Sequence, residues 1–185
     1  MQKRLFISLP VDNDWKKIFE DSLVDLDTRE WLRFTKSEDL QLTLLFLGQV
    51  DEELIPEIEE ALSDVTLIVS KFSLTLDKII YAPEGERATM VWAKFKNDLQ
   101  LKSLREQVRE ELAMILGSIE ESELLAHITL ARFNKNIPPP KDLPMLPHSN
   151  HEGEKLTFNE IKLMESKMTK TGSVQVELSS FLFKV

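Results

Sequence analysis

The chain has 185 residues, of which 42% are hydrophobic and 30% charged, an ordinary globular composition that excludes wholesale disorder; no apolar run approaches the ~18 residues of a membrane span. It lacks cysteine, which excludes disulfides, thiol catalysis and cysteine-ligated zinc. With 32 acidic against 23 basic side chains the net charge is −9, too acidic for a general nucleic-acid coat, although a locally basic cleft can still hold a phosphate.

Taken in order, Lys3-Arg4 is followed by only Leu5–Leu9 before Pro10, too short for a signal-peptide apolar region. The expectation is a cytoplasmic protein. Arg4–Leu9 is read as a strand stopped by Pro10. Asp12–Leu26 is read as an amphipathic helix capped at Asp12 or Asn13, with Trp15, Ile18, Phe19, Leu23 and Leu26 at helical spacing. Trp31–Phe34 is a short strand, and Leu40–Leu47 a strand ended by Gly48. Asp51–Leu62 is a helix with Pro56 near its first turn. Phe72, Leu74 and Leu76 alternate with Ser73 and Thr75, the pattern of a half-buried strand. Ala88–Phe95 is another strand.

Asp98–Leu116 is the strongest predicted helix, with an Asp98 cap, apolar Leu101, Leu104, Val108, Leu112 and Ile115, and Gly117 as its stop. His127–Phe133 is a strand. Pro138–Pro147, with five prolines in ten positions, is a loop. Phe158–Glu165 and Val174–Phe183 are the last strands, joined through Thr171-Gly172. Single helices mixed with paired strands point to an α+β fold rather than a doubly wound parallel sheet. Five glycines leave little material for a phosphate loop or dinucleotide fingerprint, and none is present.

One self-similarity stands out. Gln41-Leu42-Thr43-Leu44 recurs as His127-Ile128-Thr129-Leu130, eighty-six positions later. Each copy begins a predicted strand and follows an acidic, serine-containing stretch, Ser37-Glu38-Asp39 or Ser122-Glu123. Period-two alternation puts Gln41 and Thr43 on one face of their strand, and His127 and Thr129 on one face of theirs. Packed about a pseudo-two-fold axis, the two polar faces meet across a cleft. On its own a four-residue match is weak, because short strands with polar outer faces are common.

The second copy, with Ala131-Arg132 after it, resembles the His-apolar-Thr-apolar motif of the 2H phosphoesterase superfamily, specifically the bacterial RNA 2′,3′-cyclic phosphodiesterases long called 2′-5′ RNA ligases. The first copy stands in the matching context, Leu40 to Gly48, with Val50-Asp51-Glu52 after it. Arg4–Pro10, Arg33-Phe34, Val91-Trp92-Ala93 and Ile161–Ser166 followed by Gly172 are also similar to that family. The resemblance spans nearly the whole chain in order. It implies a single bilobal unit over residues 1–185, with two pseudo-symmetric lobes, antiparallel sheets lining a central cleft and helices outside. One departure matters: Gln41 stands where the family's first motif has histidine, and glutamine cannot exchange a proton near neutral pH.

Opening a 2′,3′-cyclic phosphate needs a group to take a proton from water and another to give one to the departing ribose oxygen, roughly in line across phosphorus. The resemblance implies His127 as a proton-transfer residue, Thr43 and Thr129 as donors to phosphate oxygens, and Gln41 in the position that protonates the leaving oxygen. It also implies Arg132 as a phosphate ligand, although strict alternation puts Arg132 opposite Thr129. Phe46 holds the equivalent place in the first copy; with Phe6, Trp31 and Phe34 it is a candidate base-stacking wall, core packing being the competing role. His148 and His151 sit three apart in a proline-rich stretch with only Glu152 and Glu154 nearby, so no metal site and no cofactor are expected. The expected partners are RNA ends or nucleoside 2′,3′-cyclic phosphates, with no membrane and a monomeric state. The expected activity is metal-independent phosphodiester hydrolysis, reversible to 2′-5′ joining and weakened by Gln41; the alternative is a phosphate-binding module with little turnover.

Overall fold

The computed structural model describes residues 1–26, 29–84, 88–119, 123–146, 151–169 and 172–184. Its strands are β1 (Gln2–Pro10), β2 (Leu32–Phe34), β3 (Gln41–Asp51), β4 (Phe72–Ala82), β5 (Met90–Phe95), β6 (His127–Phe133), β7 (Lys155–Phe158), β8 (Glu160–Thr169) and β9 (Gly172–Leu182). The helices are α1 (Asn13–Ser22), α2 (Ile55–Ile68) and α3 (Leu99–Leu116).

Local chemistry accounts for the helix bounds. Asp12 caps α1 by accepting from the Trp15 amide at 2.8 Å, and Asp98 caps α3 by accepting from Gln100 and Leu101. Gly117, at φ 80°, closes α3 and donates its amide to Ala113. α1 is shorter than its periodicity predicts. It ends at Ser22, whose hydroxyl donates back to the Ile18 carbonyl, and a 3₁₀ turn over Val24–Leu26 carries Leu26 into the core instead. The predicted Asp51–Leu62 helix starts later and runs longer, with Pro56 in its first turn where no amide is needed.

The strands form a nine-stranded sheet in the order β7-β4-β5-β6-β3-β1-β8-β9, with β2 paired to β6 beside this path. Every named strand pair is antiparallel. The order is symmetric about its centre: β6, β5, β4 and β7 on one side answer β3, β1, β8 and β9 on the other. A strand–helix–strand unit recurs with it, β1-α1-β3 and β5-α3-β6. The sheet presents Leu5, Ile7, Leu9, Leu42, Leu44, Val91, Ala93, Ile128 and Leu130 to the buried core. α2 packs against α3, β8 and β9, and α3 against β3.

The sequence pattern does not reveal β7, a four-residue strand whose Ser73–Thr157 hydroxyl pair and Phe72–Phe158 ring contact fasten it to β4. It also ends β3 too early. Gly48 does not stop the strand. At φ 74° it closes a bulge in which β1 pairs Leu5 with Gly48 and Phe6 with Phe46, and β3 continues to Asp51.

Along the path of the sheet the halves join at one rung: β3 and β6 pair only through Leu42 and Ile128, both fully buried. Leu42→Ala is expected to cost about 2–5 kcal/mol, more than a typical substitution at the exposed ends of either strand, measured as the shift in urea midpoint at constant slope.

Candidate active site

The one rung between β3 and β6 fixes the neighbours. In an antiparallel pair centred on Leu42 and Ile128, position 41 faces 129 and position 43 faces 127. Gln41, Thr43, His127 and Thr129 are all partly exposed, while Leu42, Leu44, Ile128 and Leu130 are buried on the reverse face. The four polar side chains therefore share one face of two adjoining strands.

Each strand then breaks its alternation at the same place. Relative to β1, β3 skips from Thr43, opposite Ser8, to Leu45, opposite Ile7, leaving Leu44 as the extra residue. Relative to β5, β6 skips from Thr129, opposite Trp92, to Ala131, opposite Val91, leaving Leu130 as the extra residue. Two consecutive buried residues follow each threonine, and the next side chain returns to the polar face. This corrects the expectation from strict alternation: Arg132 lies on the same face as His127 and Thr129, and Phe46 on the same face as Gln41 and Thr43. The Leu130 carbonyl accepts from the Thr35 amide at 2.8 Å, continuing the β2–β6 register by one position.

His127 is held from two sides. Its Nδ1 lies 2.7 Å from the Leu125 carbonyl; a carbonyl can only accept, so Nδ1 carries the proton and Nε2 keeps the free lone pair. The Trp92 indole stacks on the imidazole with centroids 3.8 Å apart and planes 26° from parallel. Burial pushes the His127 pKa below the usual imidazole value; the Leu125 hydrogen bond works against this, and the Arg132 charge adds to it. Burial thus disfavours the charged form of the ring. Lys94, the cross-strand partner of His127, shares Glu84 with Lys78, and the two lysines hold the Glu84 carboxyl below its usual range.

Gln41 donates its side-chain amide to the Gln175 side-chain carbonyl of β9. The hairpin of β8 and β9 therefore reaches across to the first motif. Ser8, opposite Thr43, is fully buried, and its hydroxyl has no hydrogen-bond partner among the described residues.

Arg132 donates to the Met90 sulfur at 3.1 Å and is the cross-strand partner of Arg33 on β2. Among the described residues neither arginine meets a carboxylate. Phe46 is 58% exposed and lies 6.0 Å, centroid to centroid, from Phe6, which is buried. Of the predicted aromatic wall, only Phe46 is freely presented. Trp31 is buried against Phe133 and Tyr81. Phe34 lines a separate groove of about 340 Å³ with Phe19, Leu23, Leu40 and Leu130. His148 lies outside the described residues, and His151 pairs with Glu154 at 3.1 Å.

The profile of the 2′-5′ RNA ligase superfamily matches residues 38–169. The chain belongs to that superfamily. An RNA 2′,3′-cyclic phosphodiesterase of Archaeoglobus fulgidus is 29% identical over 178 residues, covering 96% of this chain and 99% of the relative. Among solved structures, TT0787 of Thermus thermophilus superposes with a TM-score of 0.84 at 22% identity, covering 97% of each chain. E. coli LigT complexed with 3′-AMP superposes with a TM-score of 0.77 at 20% identity, covering all of both chains. These neighbours share the fold of the superfamily, and the motif resemblance seen in the sequence agrees with the profile match.

Two neighbours of the motif escape the sequence reading. Trp92 stands there only as part of a family-like strand, and Gln175 carries no signal at all; both reach the motif by pairing between distant strands, which no local spacing encodes. Titration of the His127 ring by NMR is expected to give a midpoint below about 6.5, the ordinary imidazole value; a midpoint above it would contradict burial as the dominant influence.

Proposed function

We propose that this chain hydrolyses 2′,3′-cyclic phosphates at RNA ends to 2′-phosphates without a metal, with turnover slowed by Gln41. The observation that carries this reading is the convergence of Gln41, Thr43, His127 and Thr129 on one face around the Leu42–Ile128 rung.

In this reaction the Nε2 of His127 takes a proton from water as the water oxygen bonds to phosphorus. The bond from phosphorus to the ribose 3′ oxygen breaks, and that oxygen leaves with the electron pair. Thr43 and Thr129 donate to the non-bridging oxygens, where negative charge grows. In a two-histidine site the second imidazole gives its proton to the departing oxygen. Gln41 can only donate a hydrogen bond there, so the proton comes from solvent. General acid assistance is worth about 10²–10⁴-fold in rate. The name of the Archaeoglobus relative, an RNA 2′,3′-cyclic phosphodiesterase, supports the substrate class. Joining of 2′-5′ ends uses the same site and the same steps with the 5′ hydroxyl of a second strand in place of water: that oxygen bonds to phosphorus, and the ribose 3′ oxygen leaves with the electron pair.

The engagement of Gln41 with Gln175 favours a second reading, a site that binds phosphate ends and turns over little. Initial rates on a nucleoside 2′,3′-cyclic phosphate, measured with chelator present, separate the two. Gln41→His is expected to be about 10²–10⁴-fold faster than the parent, and His127→Ala slower than both. A Gln41→His protein no faster than the parent points to the binding reading.

The pH profile is a separate prediction. Of the four motif residues in the parent only His127 titrates near neutrality, and its lowered pKa means the base form is already present below about pH 6.5. The rate should therefore rise through a midpoint below that value and stay flat above it, whereas Gln41→His should gain a falling basic limb. A falling limb near neutrality in the parent would contradict solvent as the proton source.

A further inference from the structure

The polar face continues past the four motif residues in one direction only. β2 and β3 both flank the same edge of β6: β3 at Leu42–Ile128, and β2 at Phe34–Ala131, Arg33–Arg132 and Leu32–Phe133. Along this edge the cross-strand positions form three tiers, Thr43 with His127, Gln41 with Thr129, and Arg33 with Arg132. The bulge at Leu130 is what brings the third tier onto the face of the first two. Among the described strands β2 has no counterpart in the other half, so the arginine pair exists on one side of the pseudo-axis alone.

Arg33 and Arg132 are cross-strand partners; burial lowers the Arg132 pKa, and the like charge of Arg33 lowers it further. Among the described residues no carboxylate relieves this pair, although the chain carries a net charge of −9. A planar fork of donors beside another such fork fits one phosphate group. The tier lies beyond Gln41, the position facing the departing ribose oxygen. From a terminal 2′,3′-cyclic phosphate, the ribose on that side leads through its 5′ carbon to the next phosphate of the strand.

We propose that Arg33 and Arg132 bind the phosphate on the 5′ side of the terminal nucleotide, so that the substrate is a strand end rather than a free nucleoside cyclic phosphate. The inference rests on the hydrolytic reading above, because that reading sets which side the ribose occupies. The ligand chemistry is a phosphate one ribose away from the cyclic one, whether as a 5′-monophosphate or as an internucleotide diester.

The test compares three substrates in the Gln41→His protein: adenosine 2′,3′-cyclic phosphate, the same compound bearing a 5′-phosphate, and the dinucleotide ending in a cyclic phosphate. Both 5′-substituted compounds are expected to show kcat/KM about tenfold higher or more, with Arg33→Gln erasing that advantage. Binding of the 2′-phosphate products supplies a readout independent of turnover. The 5′-phosphorylated product should bind more tightly at low salt, with the advantage shrinking as salt rises and screens the added charge, and Arg33→Gln should remove that salt-sensitive increment. A gain for the dinucleotide alone, insensitive to Arg33→Gln, would assign the preference to base contacts and overturn the proposal. Equal kcat/KM for all three would overturn it while leaving the hydrolytic reading intact. No turnover of any of them would overturn both.

Discussion

β3 and β6 pair in register through Leu42 and Ile128 alone, and the arrangement of the polar face follows from it. Side chains alternate along a strand, so burying these two residues forces positions 41, 43, 127 and 129 to the opposite face. A slip of one residue would send all four inward and their apolar neighbours out. The cost of exposing that buried set pins the register far more firmly than any hydrogen bond among the polar side chains. The contact is also short, because each strand is committed elsewhere: β3 to β1 along its length, and β6 to β5 and β2.

Much of this was legible in the sequence. The repeated quartet marked the two central strands, and the apolar spacing and caps marked α3 and the bounds of β6. The bulges were not. A pair such as Leu44-Leu45 or Leu130-Ala131 breaks the period of two, and in a sequence that break reads as a strand faltering, not as one turning its next side chain back. Arg132 and Phe46 consequently fell on the wrong face. β7 was missed because Lys155 and Thr157 dilute a short apolar pattern that its pairing with β4 sustains. Trp92 and Gln175 meet the motif only through contacts between remote strands.

The two halves of the polar face differ in what they do with charge. Around His127, burial disfavours the charged ring, while the Leu125 carbonyl fixes which nitrogen carries the proton. The flat face of Trp92 lies against the same ring. An aromatic face attracts a cation, so the indole favours the imidazolium at the moment a proton arrives, partly offsetting the desolvation that disfavours it at rest. Gln41 itself carries no charge. Neither amide of the Gln41–Gln175 pair titrates near neutrality, whereas the His127 ring across the seam does.

The repeat of β1-α1-β3 in β5-α3-β6 has a consequence for how such a site can change. If the same face were built by two identical chains meeting about an exact axis, one codon would specify both motif positions, and any replacement would appear twice. A histidine lost from one side would be lost from the other. Joining the two units in a single polypeptide uncouples them. Position 41 can become glutamine while position 127 stays histidine, and β2 can bring Arg33 to one side without a mirror image. On the hydrolytic reading proposed above, a reaction with distinct sides, a water on one side of phosphorus and a ribose on the other, would be matched by a site whose two sides are free to diverge.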